Sequence, residues 1–147
     1  DVMKEKGLTL VPTLAIYKIL SEGVGVLSDF MVERSLKVTN QQRDTFGRAR
    51  AKGVRIALGT DAGSPLFGPH PVAFKEMHMM NLYGMSKEEV VTSATLTAAE
   101  VLGMEHEIGS VEPGKLADLL VLETNPYEDL DAFTKHLVSV YKEGMLV

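Results

Sequence analysis

Residues 53–65 read GVRIALGTDAGSP, and the fold turns on this stretch. Residues 54–60 are nearly all apolar, with Arg55 the single charge. Such a run suits a strand buried on both faces, as in a parallel sheet. The strand climbs into a turn that carries Asp61 between Gly59 and Gly63. In α/β folds ligands sit outside the carboxyl ends of the parallel strands, which is where Asp61 is expected. Glycines there let the backbone turn sharply and leave room for a ligand. Position alone also allows a second reading, in which Asp61 makes an Asx-turn or caps the following turn. A third is an anion-binding loop, although neither GxxxxGK[ST] nor GxGxxG is present.

The rest of the composition narrows the function classes. The 147-residue chain carries a net charge of −5, and its pI is about 5.4. Mild acidity argues against nucleic-acid partners, which need a basic face. At 45% hydrophobic and 24% charged residues the chain reads as an ordinary globular domain, or a piece of one. It has no cysteine, so disulfides and thiolate metal sites are excluded. No apolar run approaches the ~18 residues of a membrane span. No signal peptide is visible, so a cytoplasmic location is the default expectation. The opening DVMKEKG reads like the last turns of a helix closed by Gly7, as if cut from something longer. Removal of a leader explains the same start equally well.

Along the chain, LTLVPTLAIY (8–17) reads as a strand, with Pro12 confining it to a strand end or edge. Residues 21–38 show no clean period and read as a loop with a short helix. TNQQ (39–42) fits a capping box opening a helix to about Lys52, closed by Gly53. A helix is predicted over 72–83, SKEE (86–89) opens another over 87–95, and TAAE (97–100) a short one closed by Gly103. EPGK (112–115) is a turn, ADLLVLE (117–123) a strand, and LVSVYKEGMLV (137–147) a hairpin about Glu143-Gly144. Residues 1–104 thus read as βα units on a parallel sheet, and 105–147 as antiparallel β.

GVRIALGTDAGSP, PHP, KEMHMMNLYGMSKEEVVTSATLTAAEVLGM, IGSVEPGKLADLLVLETNPYEDL and LVSVYKEGMLV, in this order, resemble the C-terminal third of metal-dependent amidohydrolases. The most similar branch is the imidazolonepropionase-like enzymes, with the Xaa-Pro dipeptidases. EKGLTLVPTL resembles the seventh barrel strand of that family, which makes 54–60 the eighth. The resemblance implies an α/β chain forming the last two strand–helix units of a (β/α)8 TIM barrel, followed by strands of a β-sandwich. It implies one or two divalent metal ions, often zinc, at the barrel mouth. It also implies that Asp61 binds metal and takes a proton from the attacking water. The expected reaction of the complete enzyme is hydrolysis of a carbon–nitrogen bond (amide, lactam or Xaa-Pro dipeptide) in a small molecule. That fits the physics, since a metal lowers the pKa of water towards ~7 and a neighbouring carboxylate can accept the proton.

The family's other metal ligands lie on upstream strands, and this chain has no His-x-His. A hydrolytic metal site takes about three or more protein ligands. The chain is therefore expected to be a fragment, or one of several chains completing a barrel, with the rest of the barrel or further copies as partners. The rival expectation is a non-catalytic remnant that binds a partner chain through its open edges. His70, in the loop after Asp61, is a candidate substrate contact, with a solvent-exposed loop histidine as the alternative. His78, among Met77, Met79 and Met80, reads as a packing or surface residue, and His106 follows a helix end. Ser64 lacks a nearby base, and with Thr60 is expected to shape the turn. Gly109, Gly114 and Asp118 match family positions and are expected to serve turns and to bind backbone.

Overall fold

A computed structural model describes residues 1–23, 27–63 and 69–147, the side chains of residues 69–71 excepted. It has two compact units, Asp1–Gly84 and Met85–Val147.

The first unit runs α1 (Val2–Glu5), β1 (Thr9–Leu10), α2 (Leu14–Ser21), α3 (Asp29–Ala51), β2 (Arg55–Ile56) and α4 (Pro69–Leu82). β1 and β2 pair in parallel, Thr9 opposite Arg55 and Leu10 opposite Ile56. The Ala57 N–H extends the ladder by donating to the Leu10 carbonyl at 3.0 Å. The parallel βα arrangement expected from the sequence is therefore present, but the strand expected over 54–60 and buried on both faces is limited to Arg55–Ile56, with Arg55 exposed. The stretch 8–17 is a correction: its strand stops at Leu10, and α2 begins at Leu14. Pro12 has no N–H to donate. Thr13 then turns the chain with φ 46°. The apolar run beyond it is a buried helix start, a case that periodicity alone does not separate from a strand.

Residues 21–38 differ more. In place of a loop, a 23-residue helix, α3, starts at Asp29. Its N-cap is Ser28, whose hydroxyl accepts from the Met31 N–H at 3.4 Å. The TNQQ pattern lies in mid-helix, where the Thr39 hydroxyl donates back to the Ser35 carbonyl at 2.9 Å. The helix buries only Ser35, Thr39, Phe46 and Ala49. Half of that narrow stripe is polar, so no apolar period shows. The closure at Gly53 is as expected. Gly53 adopts φ 64°, its N–H donates to the Arg50 carbonyl, and Val54 N–H reaches back to Ala49. Leu14, Ala15, Phe46, Ile56, Ala57, Val72, Met77 and Met80 form the core of this unit. The Phe46 and Tyr83 rings pack with centroids 6.3 Å apart, tilted by 60°.

The second unit contains α5 (Lys87–Ala94), α6 (Leu96–Leu102), β3 (Leu119–Leu122), α7 (Ala132–Lys135), β4 (Leu137–Lys142) and β5 (Met145–Leu146). The Ser86–Glu89 capping box is reciprocal: Glu89 N–H donates to the Ser86 hydroxyl, and Ser86 N–H to the Glu89 carboxylate. The one expected at Thr97 is not formed, because α6 already starts at Leu96. The N-cap residue Thr95 turns its hydroxyl back to the Val91 carbonyl of α5 instead. β3, β4 and β5 form one antiparallel sheet in that order. The β4–β5 turn has positive φ at both Glu143 (52°) and Gly144 (80°), the type I′ geometry that matches strand twist. Asp118 accepts from Lys142 at 2.6 Å and from the Glu143 N–H at 2.8 Å, so it binds backbone as expected. The Lys142 ammonium, then that N–H, hold its carboxyl below the usual range. Among the described residues no helix is long and apolar enough to cross a membrane.

Phe46→Ala should cost about 3–5 kcal/mol, since its ring is buried and packs on Tyr83. Urea unfolding followed by helical circular dichroism will show it as a lowered midpoint.

Candidate functional site

The site is the pair of chain exits beyond β1 and β2. Parallel pairing sets the two carboxyl ends side by side, and Gly59 and Val11 meet there. A Cβ built on Gly59 would lie 2.4 Å from Val11 Cγ1, so only glycine lets the two exits approach this closely. Two residues on, Asp61 stands exposed with φ 54°. Aspartate is among the few non-glycine residues that adopt this left-handed conformation readily. The turn is fastened by Thr60, whose hydroxyl accepts from the Ala62 N–H at 3.3 Å. The turn-shaping role expected of Thr60 is thus observed.

The other exit is held from a distance. The first N–H groups of a helix have no partner within it. In α2 two of these, on Leu14 and Ala15, donate to the two carboxylate oxygens of Glu76 on α4, at 2.9 and 2.6 Å. Glu76 is fully buried. Burial pushes its carboxyl up to about 7, against the two backbone N–H bonds, which pull it down. Gln42 of α3 adds a second tie by donating its amide to the carbonyls of Pro12 and Thr13, at 3.2 and 3.4 Å. On the outside, Glu22 at the end of α2 bridges Lys18 (2.8 Å) and Lys75 of α4 (2.9 Å). The Lys18 bond first, then the Lys75 bond, hold the Glu22 carboxyl below its ordinary value.

Sequence reading missed Glu76, Thr13 and Gln42. A signal for Glu76 existed: it falls four residues from both Val72 and Met80 on the row that α4 buries. A carboxylate on that row needs a partner.

The other candidates are not gathered here. His70 lies in the first turn of α4, and its side chain is outside the described residues, as is Ser64. His78 is exposed on α4, while Met77, Met79 and Met80 are buried as core. His106 sits 3.6 Å from Glu105, and His136 3.4 Å from Glu123, both in the second unit. Among the described residues no three His, Cys, Asp or Glu side chains are grouped to hold a metal ion. Asp61 therefore offers one oxygen donor, and these residues alone do not make a metal site.

The amidohydrolase family model matches residues 1–147, and the chain belongs to that family. Ochratoxinase from Aspergillus niger is 30% identical over 151 residues, covering 99% of this chain and 30% of its own length. Imidazolonepropionase from Clostridium tetani is 33% identical over 136 residues, covering 86% of this chain and 32% of its own. The crystal structure of a Xaa-Pro dipeptidase with bound methionine in the active site superposes with a TM-score of 0.86 at 35% identity. That match covers all of this chain and 36% of the dipeptidase. The chain thus spans about a third of the length of the relatives it matches.

Two outcomes follow from the packing of the exits. Gly59→Ala should destabilise by about 1–3 kcal/mol, because the new Cβ meets Cγ1 of Val11, a β-branched side chain with few rotamers. In a Val11→Ala background most of that loss should vanish, which a thermal-denaturation double-mutant cycle measures.

Glu76 governs a pH dependence. Its pKa is 4.5 unperturbed and about 7 in the folded chain, so the folded state binds the proton more tightly. Its contribution to stability is present in full below pH 4.5 and is lost as pH rises through 7. Wild type should lose roughly 3 kcal/mol across that window relative to Glu76→Gln, read as the difference between two denaturant titrations.

Proposed function

We propose that this chain is the C-terminal portion of a metal-dependent hydrolase acting on carbon–nitrogen bonds, and that it contributes Asp61 to a metal site completed by residues outside it. On this reading residues 1–104 are the last two strand–helix units of a (β/α)8 barrel, and 105–147 are strands of a β-sandwich. The observation that carries the proposal is the Asp61 carboxylate, exposed at the carboxyl end of the parallel strand β2 in a backbone conformation that few residues tolerate. Family membership and the likeness to ochratoxinase, imidazolonepropionase and a Xaa-Pro dipeptidase support it.

Asp61 would take one coordination position of a divalent ion, zinc by the precedent of hydrolytic sites. The ion, when bound, supplies Lewis acidity. Asp61 holds the proton removed from the attacking water and passes it to the leaving nitrogen. The substrate class is an amide, lactam or dipeptide of small size, and His70 is a candidate contact to it. The partner we propose is the remainder of the barrel. Leu120, Val121, Val138, Met145 and Leu146 stand exposed on the three-stranded sheet, in keeping with further strands that cover it.

Asp61→Asn tests the assignment in the intact protein. Asparagine keeps the size and the tolerance for positive φ but cannot accept the proton. Hydrolysis of an Xaa-Pro dipeptide, or of another amide that the wild type cleaves, should fall at least about a hundredfold. The melting temperature of the metal-free protein should hold, since Asp61 is exposed in the chain itself and an exposed substitution costs within about 0.5 kcal/mol. Turnover near the wild-type rate would sink the proposal.

A further inference from the structure

We propose that Glu76 is a positioning residue for Asp61, transmitting through the β1 exit turn to the β2 exit that carries it. The inference deepens the reading of Asp61 as a ligand and rests on it for its functional meaning.

The path is short, made of hydrogen bonds, one close approach and one or two residues of chain between them. The Glu76 carboxylate closes on the Leu14 and Ala15 N–H groups at 2.9 and 2.6 Å. That fixes where α2 starts, and hence the conformation of Thr13, a β-branched residue held at φ 46°. Such a residue adopts positive φ only where its surroundings impose it. Gln42 pins the same turn from α3 through the Pro12 and Thr13 carbonyls. Residues 12–15 are held directly after Val11, whose Cγ1 occupies the space that a Gly59 side chain would need. Gly59 then leads through Thr60, which fastens the turn, into Asp61.

Glu76 also belongs to α4, the helix that the chain enters after Asp61. One carboxylate thus clamps the helix following β1 to the helix following β2. Two neighbouring chain exits are referred to a single buried group. A carboxylate serves better here than an amide, since it has an acceptor for each N–H and its charge suits a helix N-terminus. Rigid support of this kind is what a ligand or proton acceptor needs in order to keep its geometry.

The test is amide NMR of the intact protein, labelled at Gly, Leu, Ala and Asp. In Glu76→Gln, compared with wild type above pH 7 where Glu76 is ionised, hydrogen exchange at Leu14 and Ala15 should quicken about tenfold or more as a charge-assisted bond is lost. The Gly59 and Asp61 resonances should move in the same spectrum. Adding Val11→Ala should suppress the movement at Gly59 and Asp61 and leave the faster exchange at Leu14 and Ala15. Glu76→Asp, which keeps the charge and shortens the reach, provides the same comparison if the glutamine variant does not fold. A response confined to Leu14 and Ala15, with Gly59 and Asp61 unmoved, would make Glu76 a staple between helices and overturn the proposal. The readout is spectral, so it separates from the ligand assignment: full turnover in Asp61→Asn defeats that assignment and leaves the coupling measurable.

Discussion

Two N–H groups at the start of α2 have no acceptor within their own helix, and both close on the buried carboxylate of Glu76. A buried acceptor and two buried donors each carry a large desolvation cost if left alone, and together they satisfy one another. The arrangement fixes where α2 begins, at Leu14, once Pro12 has ended the ladder of β1. It also decides how α2 meets α4, with the Lys18–Glu22–Lys75 ion pairs closing the same contact from the solvent side. Exposed ion pairs add little by comparison. The weight of the contact lies in the buried bonds.

The same constraint shapes the candidate site. Parallel pairing brings the ends of β1 and β2 together, and both exits pass through positive φ, at Thr13 and at Asp61. Backbone conformations of this kind persist where the surroundings over-determine them, and they gather at functional positions. Gly59 removes the side chain that would hold the exits apart, and Thr60 secures the turn. Asp61 is left exposed beyond the carboxyl end of β2, the side on which α/β sheets bind ligands.

The second unit rests on local rules. The Ser86–Glu89 capping box, the left-handed Gly103 closing α6 and the Glu143-Gly144 turn all follow from residues within a few positions of one another. Asp118 reaches further, from the start of β3 to the β4–β5 turn, and its two oxygens hold the Lys142 side chain and the Glu143 backbone. The hairpin turn is thereby fixed from outside as well as by its own preference for positive φ.

What could be read from the chain alone was whatever depends on neighbours in sequence. The apolar run before Gly59, the glycine closures at 53 and 103, the turn at 112–115, the capping box at Ser86 and the β4–β5 hairpin were all legible. Asp61 was legible as a candidate from its place between glycines after an apolar run, and its family from motifs in order. Tertiary structure decided the rest. Residues 8–17 divide into strand and helix because Glu76, some sixty positions away, supplies the acceptors for α2. Residues 29–51 form one helix whose buried stripe is half made of Ser35 and Thr39, with the Thr39 hydroxyl satisfied within the helix, so there is no apolar period to see. A carboxylate on a buried helix row tells from the sequence that a partner is needed but not which distant segment supplies it, and here such bonds set where α2 begins.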